Sequence, residues 1–226
     1  MKPKNLKRPF TWDNRRPLIC DRIVYVPEYY QNHSEFHFPK WGDPSLFGKQ
    51  GKVFVEYCAG NGAWIVEKAI QQPEHLWVAV EKRFDRIRKI WSKIQNYKLD
   101  NLIAVYGEAQ VFTRYYLASD SIDTCYVNFP DPWPKERHAK HRLIQTPFLQ
   151  ELSRVLRPNG TVTLVTDNPE YSGQMIDSML KTSPWSSSFP APYFVTEWEN
   201  YGTSYFDDLW RAKGCMIRYL QFINGK

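Results

Sequence analysis

The chain has 226 residues, 42% of them hydrophobic, which suits one large domain with a substantial core and excludes a disordered chain. A net charge of +6 makes nucleic acid a natural partner without requiring one. No apolar run reaches the roughly 20 residues of a membrane span, and the N-terminal stretch lacks a signal-peptide core, so a cytoplasmic protein is expected.

Residues 1–40 read as a basic N-terminal arm. Lys2, Lys4, Lys7, Arg8, Arg15 and Arg16 face a single acid, Asp13, and prolines interrupt any regular period. A solvated, flexible arm and a nucleic-acid-binding arm both fit that composition. Residues 41–226 are expected to form the main domain.

From Lys52 the pattern becomes regular. VFVEY (53–57) reads as a buried strand, followed by a Gly-containing turn and a helix over 63–71 that stops near Pro73. LWVAV (76–80) is a second strand. Phe84, Ile87, Ile90, Trp91, Ile94 and Tyr97 then recur at helical spacing, with Arg83, Arg86, Arg88, Lys89 and Lys93 on a face expected to be solvated. LIAVY (102–106) is a third strand, with a short helix over 109–117 after it. SIDTCYVNF (121–129) is a fourth, and a helix over 146–156 follows the Pro-rich loop behind it. Arg157 to Gly160 reads as a turn, TVTLVT (161–166) as a fifth strand and 169–182 as a helix. PYFVTEWE and CMIRYLQF near the C-terminus both look strand-like. Strands alternating with helices predict an α/β fold with a doubly wound, mostly parallel sheet.

In such sheets a ligand sits outside the carboxyl ends of the strands. Acids recur there: Glu56, Glu81, Glu108, Asp131 and Asp167. Each alone fits a solvated loop or a helix cap, and Asp167 could cap the helix that starts at Pro169. Together they describe a rim rich in acceptors. Gly60 and Gly62 allow a tight turn with close backbone approach. A Gly turn with an acid after the second strand suits a dinucleotide or S-adenosylmethionine. Ile65 occupies the third position of GxGxxG, and Glu56 would repel a pyrophosphate. A cationic ligand suits Glu56 better, which favours S-adenosylmethionine as the cofactor.

The most distinctive stretch is Asn128-Phe129-Pro130-Asp131-Pro132-Trp133-Pro134, followed by Lys135 and the run Arg137-His138-Ala139-Lys140-His141-Arg142. One acid lies at a rigid corner, then a dense positive block. Trp133 could stack on a base or anchor the loop. His138 and His141 read as RNA-facing or packed side chains. The four cysteines form no CxxC pair, so neither a disulfide framework nor a metal site is expected.

The combination Phe129-Pro130-Asp131-Pro132-Trp133, Lys135 and Arg137-His138-x-Lys140-x-Arg142 resembles the tRNA (guanine-N7-)-methyltransferases. The resemblance covers about residues 50–222. It implies a Rossmann-like class I methyltransferase fold with an antiparallel C-terminal strand, making 41–226 the S-adenosylmethionine-dependent domain. It implies methyl transfer to N7 of a guanine in the tRNA variable loop, at position 46. By the same resemblance Glu56 would face the methionine end of the cofactor, Glu81 the ribose and Glu108 the adenine, with Gly60, Gly62 and Asp131 also at the cofactor. Asp131 matches the residue assigned as catalytic. Lys135, Asp167 and Ser204-Tyr205-Phe206-Asp207 match substrate-contacting positions, and Arg137 to Arg142 match a segment that meets RNA. Ala212-Lys213-Gly214 sets the register of the Ser204 motif. Cys58 stands where the family's turn normally begins with glycine.

Guanine N7 carries a lone pair in the neutral base, so this chemistry needs positioning and charge stabilisation rather than a strong general base. Two alternatives stay open on the residues alone. One is a methyltransferase acting on another RNA or amine nitrogen; Asp131-Pro132-Trp133 has one proline fewer than the Asn/Asp-Pro-Pro-aromatic pattern common in enzymes that methylate exocyclic amines. The other is a non-catalytic RNA-binding protein on the same fold. Monomer and homodimer are both compatible with the sequence.

Overall fold

A computed structural model describes residues 1–226, apart from the side chain of Glu136. The chain divides into two compact units, Met1–Leu117 and Ala118–Lys226, and not at the expected boundary near residue 40.

In the first unit, strands β1 (Leu18–Cys20), β2 (Ile23–Tyr25), β3 (Val53–Tyr57), β4 (Leu76–Glu81) and β5 (Leu102–Tyr106) lie in the order β1-β2-β5-β4-β3. Only β1 and β2 pair antiparallel; the other neighbours are parallel. β4 and β5 are apolar on both faces, with Val78, Ala79, Ala104 and Val105 fully buried, as a sheet covered by helices on both sides requires. The helices are α1 (Ala63–Gln71), α2 (Phe84–Tyr97) and α3 (Ala109–Tyr116). α2 buries Ile87, Ile90, Trp91 and Ile94, the expected stripe. It ends where Lys98 turns left-handed and returns its N–H to the last turn. The Asn101 side chain donates to the carbonyls of Ala69, Gln72 and His75, satisfying groups at the end of α1 and in the turn that leads to β4.

The N-terminal stretch corrects the expectation of a free arm. Ile23 to Val26 are buried, and β2 extends the sheet beside β5. Leu6 is buried, Arg88 Nε donates to its carbonyl, and Ser92 Oγ donates to the carbonyl of Met1. Arg8 donates to the Tyr106 hydroxyl at 2.7 Å. Gly107 makes room for this segment: a Cβ there would lie 2.6 Å from Val26 Cβ. The sequence hid the packing because the buried residues are too few to show a period.

In the second unit, β6 (Ile122–Asn128), β7 (Leu156–Thr166), β8 (Trp185–Ser187) and β9 (Arg218–Asn224) lie in the order β6-β7-β9-β8. β6 and β7 are parallel, whereas β9 runs antiparallel to both β7 and β8. The helices are α4 (Thr146–Val155), α5 (Pro169–Lys181) and α6 (Tyr205–Ala212). The expected turn at Arg157 to Gly160 is absorbed into β7 as an irregularity opposite β6, with Asn159 left-handed. PYFVTEWE contributes one bridge, Val195 to Tyr219, rather than a strand.

Candidate active site

The turn after β3 is built from left-handed residues: Cys58 at φ +61°, Gly60 at +56° and Gly62 at +66°. Cys58 thus adopts the backbone that glycine accepts without strain, at a cost of roughly 1–2 kcal/mol. A Cβ on Gly62 would lie 2.7 Å from Ile90 Cγ1, so only glycine lets α1 start this close to α2.

Glu81, the last residue of β4, organises this turn. Its Oε2 accepts the Gly60 N–H at 3.0 Å and pairs with Arg86 Nη1 at 3.3 Å, while Oε1 accepts the Arg83 N–H at 2.8 Å. Glu56 lies inside β3 rather than beyond it, opposite Ala79, and is buried. Lys93 reaches from α2 to donate to the Asn61 carbonyl at 3.0 Å. Burial, with neighbouring Lys89, holds the Lys93 ammonium below the usual lysine range; Glu56 acts in the opposite sense. Arg86, Arg88 and Lys93 therefore do not form the purely solvated face the charge pattern suggested. Glu108 is exposed at the N-cap position of α3 and lines a cavity with Val26, Glu28, Tyr29, His33 and Val111. His33 Nδ1 lies 2.7 Å from the Tyr116 hydroxyl, and burial lowers its pKa.

In the second unit, Asp131 and Asp167 follow the paired parallel strands β6 and β7. The chain leaves β6 with the Phe129 N–H bonded to the Val165 carbonyl at 2.9 Å. Phe129 (φ +49°) and Trp133 (φ +42°) are both left-handed, and Asp131 sits exposed between them. Asp167 is half-buried, and desolvation pushes its carboxyl pKa up. It is not the helix cap: the neighbouring Asn168 side chain accepts the Tyr171 N–H at 2.8 Å.

Lys135, Arg137, Lys140 and His141 are exposed along the loop and its short 3-10 helix, Glu136–His141. His138 and His141 pack around Trp133, with ring centroids 5.9 and 5.3 Å from it. Ala139 contributes its carbonyl, which accepts from the Arg142 N–H and from Gln145 Nε2.

Arg142 does not fit the RNA-contacting expectation. It is 3% exposed. Its Nε donates to the Pro132 carbonyl at 2.7 Å, one Nη pairs with Glu170 at 2.7 Å, and the guanidinium lies 5.1 Å from the Tyr171 ring centre. It staples the Asp131 loop to α5.

Asp207 also departs from its expected substrate role. It is 2% exposed, with Oδ1 accepting from Arg211 Nε at 2.6 Å and Oδ2 from the Tyr219 hydroxyl at 2.8 Å. Ser204 caps α6, accepting the Asp207 N–H at 3.1 Å. Asp207 thus forms an internal ion pair with Arg211, one helical turn away. Tyr205 is exposed, and the Phe206 ring lies 6.3 Å from Phe129 at the root of the Asp131 loop.

A family model described as "Putative methyltransferase" matches residues 50–204. The tRNA (guanine-N(7)-)-methyltransferase of Chlamydia muridarum is 48% identical over 99% of this chain and 98% of its own. The chain belongs to the tRNA (guanine-N7-)-methyltransferase family. The enzyme of that name from Thermotoga maritima is 32% identical over 84% of this chain and 60% of its own. Among solved structures, the 16S rRNA methyltransferase KamB superposes with a TM-score of 0.58 at 15% identity, covering 83% of this chain and 94% of that one. That likeness shows the fold, Rossmann-like and of the class I methyltransferase type.

For a member of this family, sequence reasoning passed over three supporting residues. Arg86 follows Glu81 by five positions, within the first turn of α2, a spacing from which its pairing was readable. Lys93 was masked by the many charges of α2. Tyr201, buried and donating its hydroxyl to Asn128 Oδ1 at 2.6 Å, lies 73 positions away and had no local signal. Among the described residues, no group of three or more His, Cys, Asp or Glu could hold a metal, and no helix is long and apolar enough to cross a membrane.

Proposed function

We propose that this chain is a cytoplasmic enzyme that transfers a methyl group from S-adenosylmethionine to N7 of a guanine in tRNA, at variable-loop position 46. The observation that carries the reading is the match, over nearly the whole chain, to relatives named for that reaction. The geometry supports it. Left-handed Gly60 and Gly62 give the backbone freedom a cofactor turn needs, and the buried carboxylate of Glu56 suits an ammonium group. The donor set fits S-adenosylmethionine, which when bound supplies an electrophilic methyl on a sulfonium. Glu81 retains acceptor lone pairs for ribose hydroxyls beside the bonds it makes to the turn, and exposed Glu108 is available to the adenine amino group.

The substrate side needs no base, because N7 is already unprotonated. Asp131 accepts hydrogen bonds from the guanine N1–H and exocyclic amine, a pattern adenine lacks. It also stabilises the positive charge that N7 methylation leaves on the purine, assisted by Asp167. The rigid loop holds Asp131 in place before substrate arrives, which reduces the reorganisation needed in the transition state. Lys135, Arg137 and Lys140 contact phosphates and position the RNA without reading its sequence.

The test is single-turnover methylation of unmodified tRNA by Asp131→Ala, with the modified atom mapped by cleavage at N7-methylguanine. Loss of methylation with tRNA affinity within about threefold of wild type is expected, because phosphate contacts dominate affinity. Normal single-turnover rates in the variant would overturn the role of Asp131. Methylation mapped to another atom in the wild type would overturn the reaction.

A further inference from the structure

Residues 1–16 carry six basic side chains and one acidic one, a net +5, against +6 for the whole chain. The excess positive charge is thus concentrated in a segment that is docked on the first unit. Arg15 organises part of it. Its guanidinium donates to the carbonyls of Trp12 at 2.6 Å, Glu28 at 3.0 Å and Tyr29 at 3.1 Å, and lies 4.1 Å from the Trp12 ring centre. These bonds bring two loops together and set the Trp12 and Tyr29 rings 6.0 Å apart. The rings are nevertheless 60% and 74% exposed. Folding has fixed the backbones beneath two large aromatic side chains without burying them. Tyr29 is also left-handed, at φ +55°.

We propose that Trp12 and Tyr29 form a stacking platform for an unpaired tRNA nucleotide, with Lys7 and Arg16 of the same basic segment binding phosphates. Resting on the reading of the chain as a tRNA methyltransferase, this adds an RNA-binding surface separate in sequence from the Lys135–Lys140 loop. Exposed aromatic rings beside cations suit RNA, because any base offers a π-face and the backbone supplies the countercharge. Lys7 and Arg16 are both exposed, and residues 1–16 hold a single acid, Asp13. The position fits the chemistry. Glu28 and Tyr29 line the same cavity as Glu108, just past the carboxyl end of β5, so a stacked nucleotide lies beside Glu108.

The experiment compares wild type, Trp12→Ala/Tyr29→Ala, Trp12→Phe/Tyr29→Phe and Lys7→Glu/Arg16→Glu. Affinity for tRNA and for a single-stranded oligoribonucleotide is measured across a salt series, with kcat and KM for tRNA and affinity for S-adenosylhomocysteine. The alanine pair is expected to weaken both RNAs and raise the tRNA KM about tenfold, in the range for one lost stacked base. The phenylalanine pair should restore RNA binding. The glutamate pair should lower the salt slope by about 1 to 2. Wild-type RNA affinity in a folded alanine pair overturns the platform and leaves the methylation reading intact. Absence of RNA binding by the wild type overturns the platform, while absence of methyl transfer by an RNA-binding wild type strikes the activity alone.

Discussion

Arg142→Ala separates a residue that holds the Asp131 loop from one that holds RNA. The charge-assisted bond to the Pro132 carbonyl is worth about 1.5–3 kcal/mol. The Glu170 carboxylate is 67% exposed, so that ion pair adds about 1 kcal/mol at most. The Tyr171 ring adds about 1 kcal/mol more for a desolvated guanidinium. Truncation should therefore cost about 4 kcal/mol, read as a lower midpoint in urea unfolding monitored by fluorescence. Single-turnover methylation should fall by about tenfold or more, because a loop loosened by an ångström loses that much alignment. Affinity for tRNA and its salt slope should hardly change. Glu170→Gln should cost less than about 1 kcal/mol, which isolates the carbonyl bond as the main contact. A stable, fast Arg142→Ala enzyme with weak tRNA binding and a salt slope lower by about 1 would refute the staple and return Arg142 to the RNA-contacting set.

Gly62→Ala combines a left-handed backbone with a 2.7 Å contact to Ile90, and should cost about 2–4 kcal/mol while abolishing cofactor affinity in calorimetric titration. Cys58→Gly relieves left-handed strain but adds unfolded-chain entropy, so thermal unfolding should show stabilisation of at most about 1 kcal/mol. Asp167 has a raised folded pKa, so its ionisation disfavours the folded state, and stability falls as pH rises from the ordinary aspartate value through the raised one. Asp167→Asn should thus be more stable than wild type at neutral pH yet slower in methyl transfer, with a flattened acidic limb in its pH–rate profile; equal stability of the two at neutral pH would contradict the burial effect.

The central elements were legible because each has a strong local period. The stripe of α2 and the runs of β3, β4 and β5 need no partner to be recognised, and the chain reads them within a residue of their observed bounds. The acids after β4, β5, β6 and β7 were equally legible, since strand ends locate them. What sequence could not supply was the destination of each charge. Arg142 and Lys140 belong to one basic run, yet one side chain is buried under Pro132 and the other is exposed. A guanidinium finds its carbonyls only after the loop has folded back ten residues, and period and composition carry no trace of that. The same holds for Asp207, which meets Tyr219 only when β9 pairs with β7. It holds also for the first 26 residues, whose place was decided by an open edge at β5 and by a glycine, Gly107, that leaves room for Val26. Sequence determined which strands carry acids to their carboxyl ends; tertiary contact alone decided which charges stay exposed, because burial and hydrogen bonding depend on neighbours distant along the chain.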